Sequence, residues 1–228
     1  MMRSHSSTGG QSVSGEKMTS GRLQINWVAI PSPEFLRGNA SVAHRDPAGH
    51  YHEGLFRVFH TRVHHEPDGF YYAFIAVTES RDLIHWTEPR ILTPKDCRLN
   101  YSSPGNVIRY DARWMLCLQT YPMHNHTHFG DETARIYLMR SEDLTHWSDP
   151  ELIPVKGPNV PVEEMGRMID AYLVEDKEAS GRWWCFYKQN GASMSYTDDF
   201  RTWTYVGRMD SGENVCVLVD NDEYVLFH

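Results

Sequence analysis

The sequence is short of several things. Its longest uninterrupted apolar run is Phe70–Val77, eight residues, against the ~20 that a membrane-spanning helix needs; no membrane partner is expected. It has no excess of basic residues: Lys and Arg total 22 against 30 Asp and Glu, a formal charge of -8. That excludes the basic footprint of a nucleic-acid binder. Cysteine is sparse, with Cys97, Cys117, Cys185 and Cys216 far apart and no C-x-x-C pair, so neither a disulfide framework nor a zinc ribbon is indicated. Residues 1–21 are rich in Ser, Gly and Thr and hold no 7–15-residue hydrophobic segment of a secretory signal. They read as a disordered leader to a single domain over 22–228, and the chain as cytoplasmic. Sustained 3.6-residue periodicity is missing throughout. Aromatics, by contrast, reach 12%, and there are 13 His. An acidic chain rich in rings leans toward neutral polar ligands such as sugars.

What the sequence does contain is a repeat. Ser80-Arg81-Asp82-Leu83-Ile84-His85-Trp86, Ser141-Glu142-Asp143-Leu144-Thr145-His146-Trp147 and Thr197-Asp198-Asp199-Phe200-Arg201-Thr202-Trp203 align without gaps, the Trp residues falling 61 and then 56 apart. In each, Ser or Thr and Asp are set to bond nearby backbone amides in a turn, while Leu or Phe and Trp anchor the hairpin against a neighbouring unit. Strand-like runs flank every copy. The periods parse as 48–52, 55–63, 70–80 and 86–92; then 105–109, 113–121, 134–140 and 147–153; then 169–175, 182–189, 192–196 and 203–209. Runs 213–219 and 223–228 follow. Four-stranded units at this spacing predict an all-β chain, a β-propeller, with three complete blades and half of a fourth. Propellers close with about four to eight blades, so the count predicts a ring truncated at the C-terminus.

Residues at the starts of innermost strands face a propeller's central channel. Blade one opens on His44-Arg45-Asp46-Pro47, blade two on Ser102-Ser103-Pro104-Gly105, blade three on Arg167-Met168-Ile169-Asp170, and blade four on Gly212-Glu213-Asn214. Asp46, Asp170 and Glu213 are thereby expected around one axis. Arg45-Asp46-Pro47 resembles the first-blade Asp-Pro motif of the five-bladed glycoside hydrolases of family 43. Asp46-Pro47-Ala48-Gly49, followed by Tyr51–Phe56, is more distantly similar to the opening of family 32, and family 68 is related to both. The resemblance covers about residues 40–228 and rests on short motifs taken in order. Asp170 is followed by Ala171 and Glu213 by Asn-Val, where the family usually has Pro-containing motifs, and the blade that often supplies a channel His is absent.

The resemblance implies a five-bladed fold and cleavage of an arabinoside- or xyloside-like bond, with Asp46 as base, Glu213 as general acid and Asp170 tuning the acid. Family 43 implies inversion; families 32 and 68 imply retention. The chemistry suits three acids, since glycoside cleavage uses one protonated carboxyl and one carboxylate on opposite faces of the bond, and a third charge raises the acid's pKa. Expected substrate contacts are His44, Arg45, Ser103, His126 and Arg167. The run His124-Asn125-His126-Thr127-His128 invites a metal reading. However, same-face strand positions are ~6.6 Å apart, too far for three rings to share one ion easily, so a polar pocket-mouth loop is preferred and neither metal nor cofactor is expected. A non-catalytic carbohydrate-binding propeller, a retaining fructosidase-like enzyme and a glycoside phosphorylase are the rival readings.

Overall fold

The computed structural model describes residues 26–30, 36–123 and 130–228. The expected leader over residues 1–21 and His126 with its neighbours lie outside them. The described chain is all-β. Sheet one is β1 (Val42–His52), β2 (Leu55–His65), β3 (Tyr71–Ser80) and β4 (Arg90–Ile91), in that order. Sheet two is β5 (Tyr101–Ser102) and β6 (Val107–Tyr110), both paired to β7 (Arg113–Thr120), then β8 (Ile136–Ser141) and β9 (Glu151–Leu152). Sheet three is β10 (Ile169–Glu175), β11 (Trp183–Lys188), β12 (Ala192–Thr197) and β13 (Thr204–Met209), and sheet four is β14 (Cys216–Asp220) with β15 (Glu223–Phe227). All pairing is antiparallel and, apart from β5 with β7, joins chain neighbours, as a meander requires.

The expected strands form, with two corrections. Outer strands 86–92 and 147–153 shrink to two residues, because the Trp turns occupy their first half. The innermost strand of sheet one begins six residues earlier than expected, and that of sheet two is split, because bulges interrupt them. The repeat folds as the spacing implies. In sheet two Ser141 Oγ accepts the amide of Leu144 (2.8 Å), Asp143 Oδ1 accepts those of Thr145 and His146 (2.8 and 2.7 Å), and the Trp147 indole donates to the Leu144 carbonyl (3.2 Å). The copies at Ser80 and Thr197 repeat these amide bonds. The turn holds Leu83, Leu144 and Phe200 in the left-handed region, at φ 63°, 63° and 54°.

Cores lie between consecutive sheets. Phe59, Ile75 and Val77 of sheet one meet Leu116, Leu118 and Met139 of sheet two. Ile108, Cys117 and Leu138 meet Leu173, Cys185 and Tyr187 of sheet three, and Phe186 and Ala192 meet Val215 and Val217 of sheet four. Trp147 sits edge-on to Phe59, ring centroids 5.5 Å apart, so the turn of sheet two anchors on sheet one. Sheets stacked face to face in chain order, each sharing a core only with its neighbours, make a propeller-like arrangement. All four cysteines are free.

Candidate active site

The geometry of the site follows from one irregularity repeated four times. Pairing of β1 with β2 shifts register between Arg45 and Ala48, and that of β10 with β11 between Ile169 and Tyr172. β5 breaks from β6 at the same place, and β14 starts just after it. The residue at each irregularity has positive φ: Asp46 51°, Ser103 42°, Asp170 55° and Asn214 56°. Bulges of this kind re-aim a side chain out of the pleat, and Asp and Asn tolerate the left-handed region better than most residues. All four side chains turn to one axis, where they line both a cleft of about 610 Å³ on one side and a chamber of about 540 Å³ on the other.

The larger cleft gathers Asp46, Asp170 and Glu213, which are 124 and 43 residues apart in the chain, together with Arg45, Ser103 and Arg167. His44 is not among them. Arg45 and Ala43 line the cleft, and strand alternation sends His44 to the opposite face of β1, where its ring lies edge-on to His60 with centroids 4.9 Å apart. Glu213 stands one residue before Asn214, the positive-φ residue that leads into β14.

Each acid has its own surroundings. Asp46 Oδ2 accepts the hydroxyls of Thr61 (2.9 Å) and Ser103 (3.1 Å), with Arg45 Nε at 3.8 Å. Thr61 Oγ1 also accepts the Ser103 amide at 2.7 Å, so its proton points at Asp46. Asp170 is half-buried, and the desolvation this brings, seconded by the charge of Asp46, raises its carboxyl above the usual range. The Asn214 amide (3.4 Å from Oδ2), Lys188 and Arg167 pull the other way. Glu213 is largely exposed and ion-paired with Lys188.

Sequence reasoning did not single out Thr61, Gln119 or Lys188. In the strand registers they are equivalent, each opposite the residue before a bulge: Arg45 with Thr61, Ser102 with Gln119, Ile169 with Lys188. Each reaches to the next sheet, Thr61 to the Ser103 amide, Gln119 Oε1 to the Asp170 amide (2.6 Å) and Lys188 to Glu213. A blade alignment registered on the bulges would have found them, but bulges leave no mark in hydrophobic alternation. Tyr71, Tyr121 and Met123 complete the apolar wall. Arg135 is buried and spends its guanidinium on the carbonyls of Glu132, Ala134, Val162 and Gly166, which pins the loop that delivers Arg167 and β10. Among the described residues no group of three or more His, Cys, Asp or Glu is arranged to hold a metal ion.

No family model matches the chain, and no curated protein matches its sequence. Solved structures do. A family 117 glycoside hydrolase from Zobellia galactanivorans superposes with a TM-score of 0.65 at 14% identity, over 85% of this chain and 64% of that one. An exo-1,5-α-L-arabinanase from a bovine ruminal metagenomic library gives 0.57 at 16%, over 84% and 66%. A glycosyl hydrolase from Bacteroides ovatus gives 0.55 at 14%, over 72% and 48%. At such identities the likeness defines the fold: the propeller-like all-β architecture of these glycoside hydrolases. The chain spans about half the length of the Bacteroides ovatus structure, and of two others that match it as well.

Proposed function

We propose that this chain carries the acid cluster of a glycoside hydrolase whose four sheets are blades of a five-bladed ring, acting on an arabinoside- or xyloside-like substrate. The observation that carries the reading is the convergence of Asp46, Asp170 and Glu213 on one cleft walled by Tyr71 and Tyr121, rings of the kind on which sugar faces pack. The arabinanase neighbour supports the substrate class, and it does so by likeness of fold alone.

In the inverting form of the reaction, Asp46 takes a proton from water, whose oxygen attacks the anomeric carbon. The glycosidic C–O bond breaks as the leaving oxygen receives a proton from the acid. Two hydroxyl donors aim Asp46 and leave it a fixed acceptor, as a base requires. Glu213 is the acid by family resemblance. A second assignment rests on the surroundings just described: Asp170 is the carboxyl that burial inclines to hold a proton, whereas Glu213 is engaged by Lys188.

Leaving-group dependence separates the two. An acid variant loses cleavage of 4-nitrophenyl glycosides but keeps that of 2,4-dinitrophenyl glycosides, whose leaving group needs no proton. Glu213→Gln showing this signature assigns Glu213; Asp170→Asn showing it assigns Asp170. Asp46→Ala loses both substrates, by about 10²-fold or more. A wild-type chain that cleaves no glycoside of an arabinofuranoside, xylopyranoside, galactoside and mannoside panel, or an Asp46→Ala variant as active as wild type, refutes the proposal.

A further inference from the structure

Gln119 is buried in sheet two yet lines the cleft beside Asp170. Its orientation is dictated by its neighbour. The Asp170 amide is a donor, so the atom it meets at 2.6 Å is the carbonyl oxygen Oε1. The amide nitrogen Nε2 must then take the other branch of the group, and no acceptor meets it among the described residues. Ser102 lies directly opposite Gln119 in the β5–β7 register, lines the same wall, and its Oγ is buried without a hydrogen-bond partner. Cross-strand side chains start about 5 Å apart, close enough to serve adjacent oxygens of one ring.

We infer that Gln119, seconded by Ser102, is a specificity-determining residue that donates to a hydroxyl or ring oxygen of an uncharged sugar next to Asp170. The inference rests on the proposed glycosidase reading. Its chemical basis is that Ser102 Oγ, buried without a partner, carries a free-energy cost that a ligand oxygen removes, that the Gln119 amide nitrogen is an uncommitted donor at the cleft wall, and that a site built to hydrogen-bond a hydroxyl discriminates strongly against its absence. Gln119 is thus more than a latch between sheets two and three. The latch uses Oε1 alone.

The two roles separate in two variants. Gln119→Glu keeps an oxygen for the Asp170 amide and loses both N–H donors, whereas Gln119→Met loses both functions. Calorimetry with L-arabinose, D-xylose, D-galactose and D-mannose reads binding independently of turnover. The expected result is that wild type binds at least one of them and that both variants bind it roughly three- to tenfold more weakly, with Gln119→Met losing thermal stability at every pH and Gln119→Glu losing it as rising pH ionises the added carboxyl beside Asp170. On a cleaved nitrophenyl glycoside the same loss falls on KM. Gln119→Glu that binds the sugar as tightly as wild type overturns the inference, as does a wild-type chain that binds none of the four. Sugar binding without hydrolysis, weakened in both variants, would uphold Gln119 while refuting the hydrolase.

Discussion

At the scale of single residues, Thr61 shows how little of the site the acids supply by themselves. Its hydroxyl is buried, accepts the Ser103 amide and donates to Asp46. Thr61→Val therefore strands an amide and frees the carboxylate to rotate. We expect a loss of about 1–3 kcal/mol of stability and, because small misplacements of a reacting group are costly, a kcat/KM on nitrophenyl glycosides lower by about tenfold or more. Thr61→Ser keeps both bonds and stays near wild type; urea midpoints and steady-state rates check both. The acid cluster was legible in the sequence because Asp46, Asp170 and Glu213 recur where successive repeat units open. Thr61, Gln119 and Lys188 were not, because their roles depend on registers set by the bulges. His44 falls outside the cleft for a simpler reason: one step along β1 exchanges the cleft for the opposite face.

At the scale of elements, the Trp turns set packing against backbone preference. Leu144 is fully buried at φ 63°, a region that costs a non-glycine residue about 1–2 kcal/mol, and burial outweighs it. Removing the side chain to Ala keeps the backbone cost and should destabilise by about 2–5 kcal/mol. Glycine removes more packing but relieves the backbone. Leu144→Gly is thus expected to match or exceed Leu144→Ala in chemical denaturation, the reverse of the usual order. These turns were readable almost residue by residue, since every bond in them is local.

Sheet one adds an acid sensitivity that no local pattern announced. Burial lowers the His60 and His50 rings to about 4, with His44 and Arg62 adding to the effect at His60 and Arg57 and His52 at His50; His44 and His64 are lowered as well. The unfolded chain binds protons at ordinary histidine values that the fold refuses. Stability is therefore complete above about pH 6.5 and falls as pH drops toward about 4. For His60 the loss is on the order of 2 kcal/mol at pH 4.5. Urea midpoints at pH 7, 5.5 and 4.5 test this, and His60→Gln should flatten the dependence. The turn acids Asp82 and Asp143, held below the usual carboxylate range by their amide bonds and by His85 and His146, lose their contribution only at lower pH.

At the scale of the whole molecule, the sheets meet through backbone as well as cores. A side chain on Gly105 would place its Cβ 1.8 Å from the Ala171 carbonyl oxygen and 2.5 Å from Cys117 Sγ. Beside it Asn106 pairs with both the amide and the carbonyl of Leu173, at 2.9 and 2.8 Å, continuing strand-like bonding from sheet two to sheet three. Gly105→Ala must push these sheets apart, and with them Ser103 from Asp170. We expect a loss of about 3 kcal/mol or more and a failure to bind sugar. Gly49→Ala, whose Cβ meets nothing within 4 Å, should be silent. Thermal melts of the pair make the comparison.

The sequence by itself determined the all-β class, the repeat, most strand centres and the order of the acids, because alternation, turn chemistry and spacing act over a few residues. Only the tertiary structure decided which side chains share the cleft. Two bulges, a strand break and a strand onset, all invisible to alternation, set Asp46, Asp170, Ser103 and Asn214 at positive φ around one cleft. Packing between sheets then half-buries Asp170 and leaves Glu213 with Lys188.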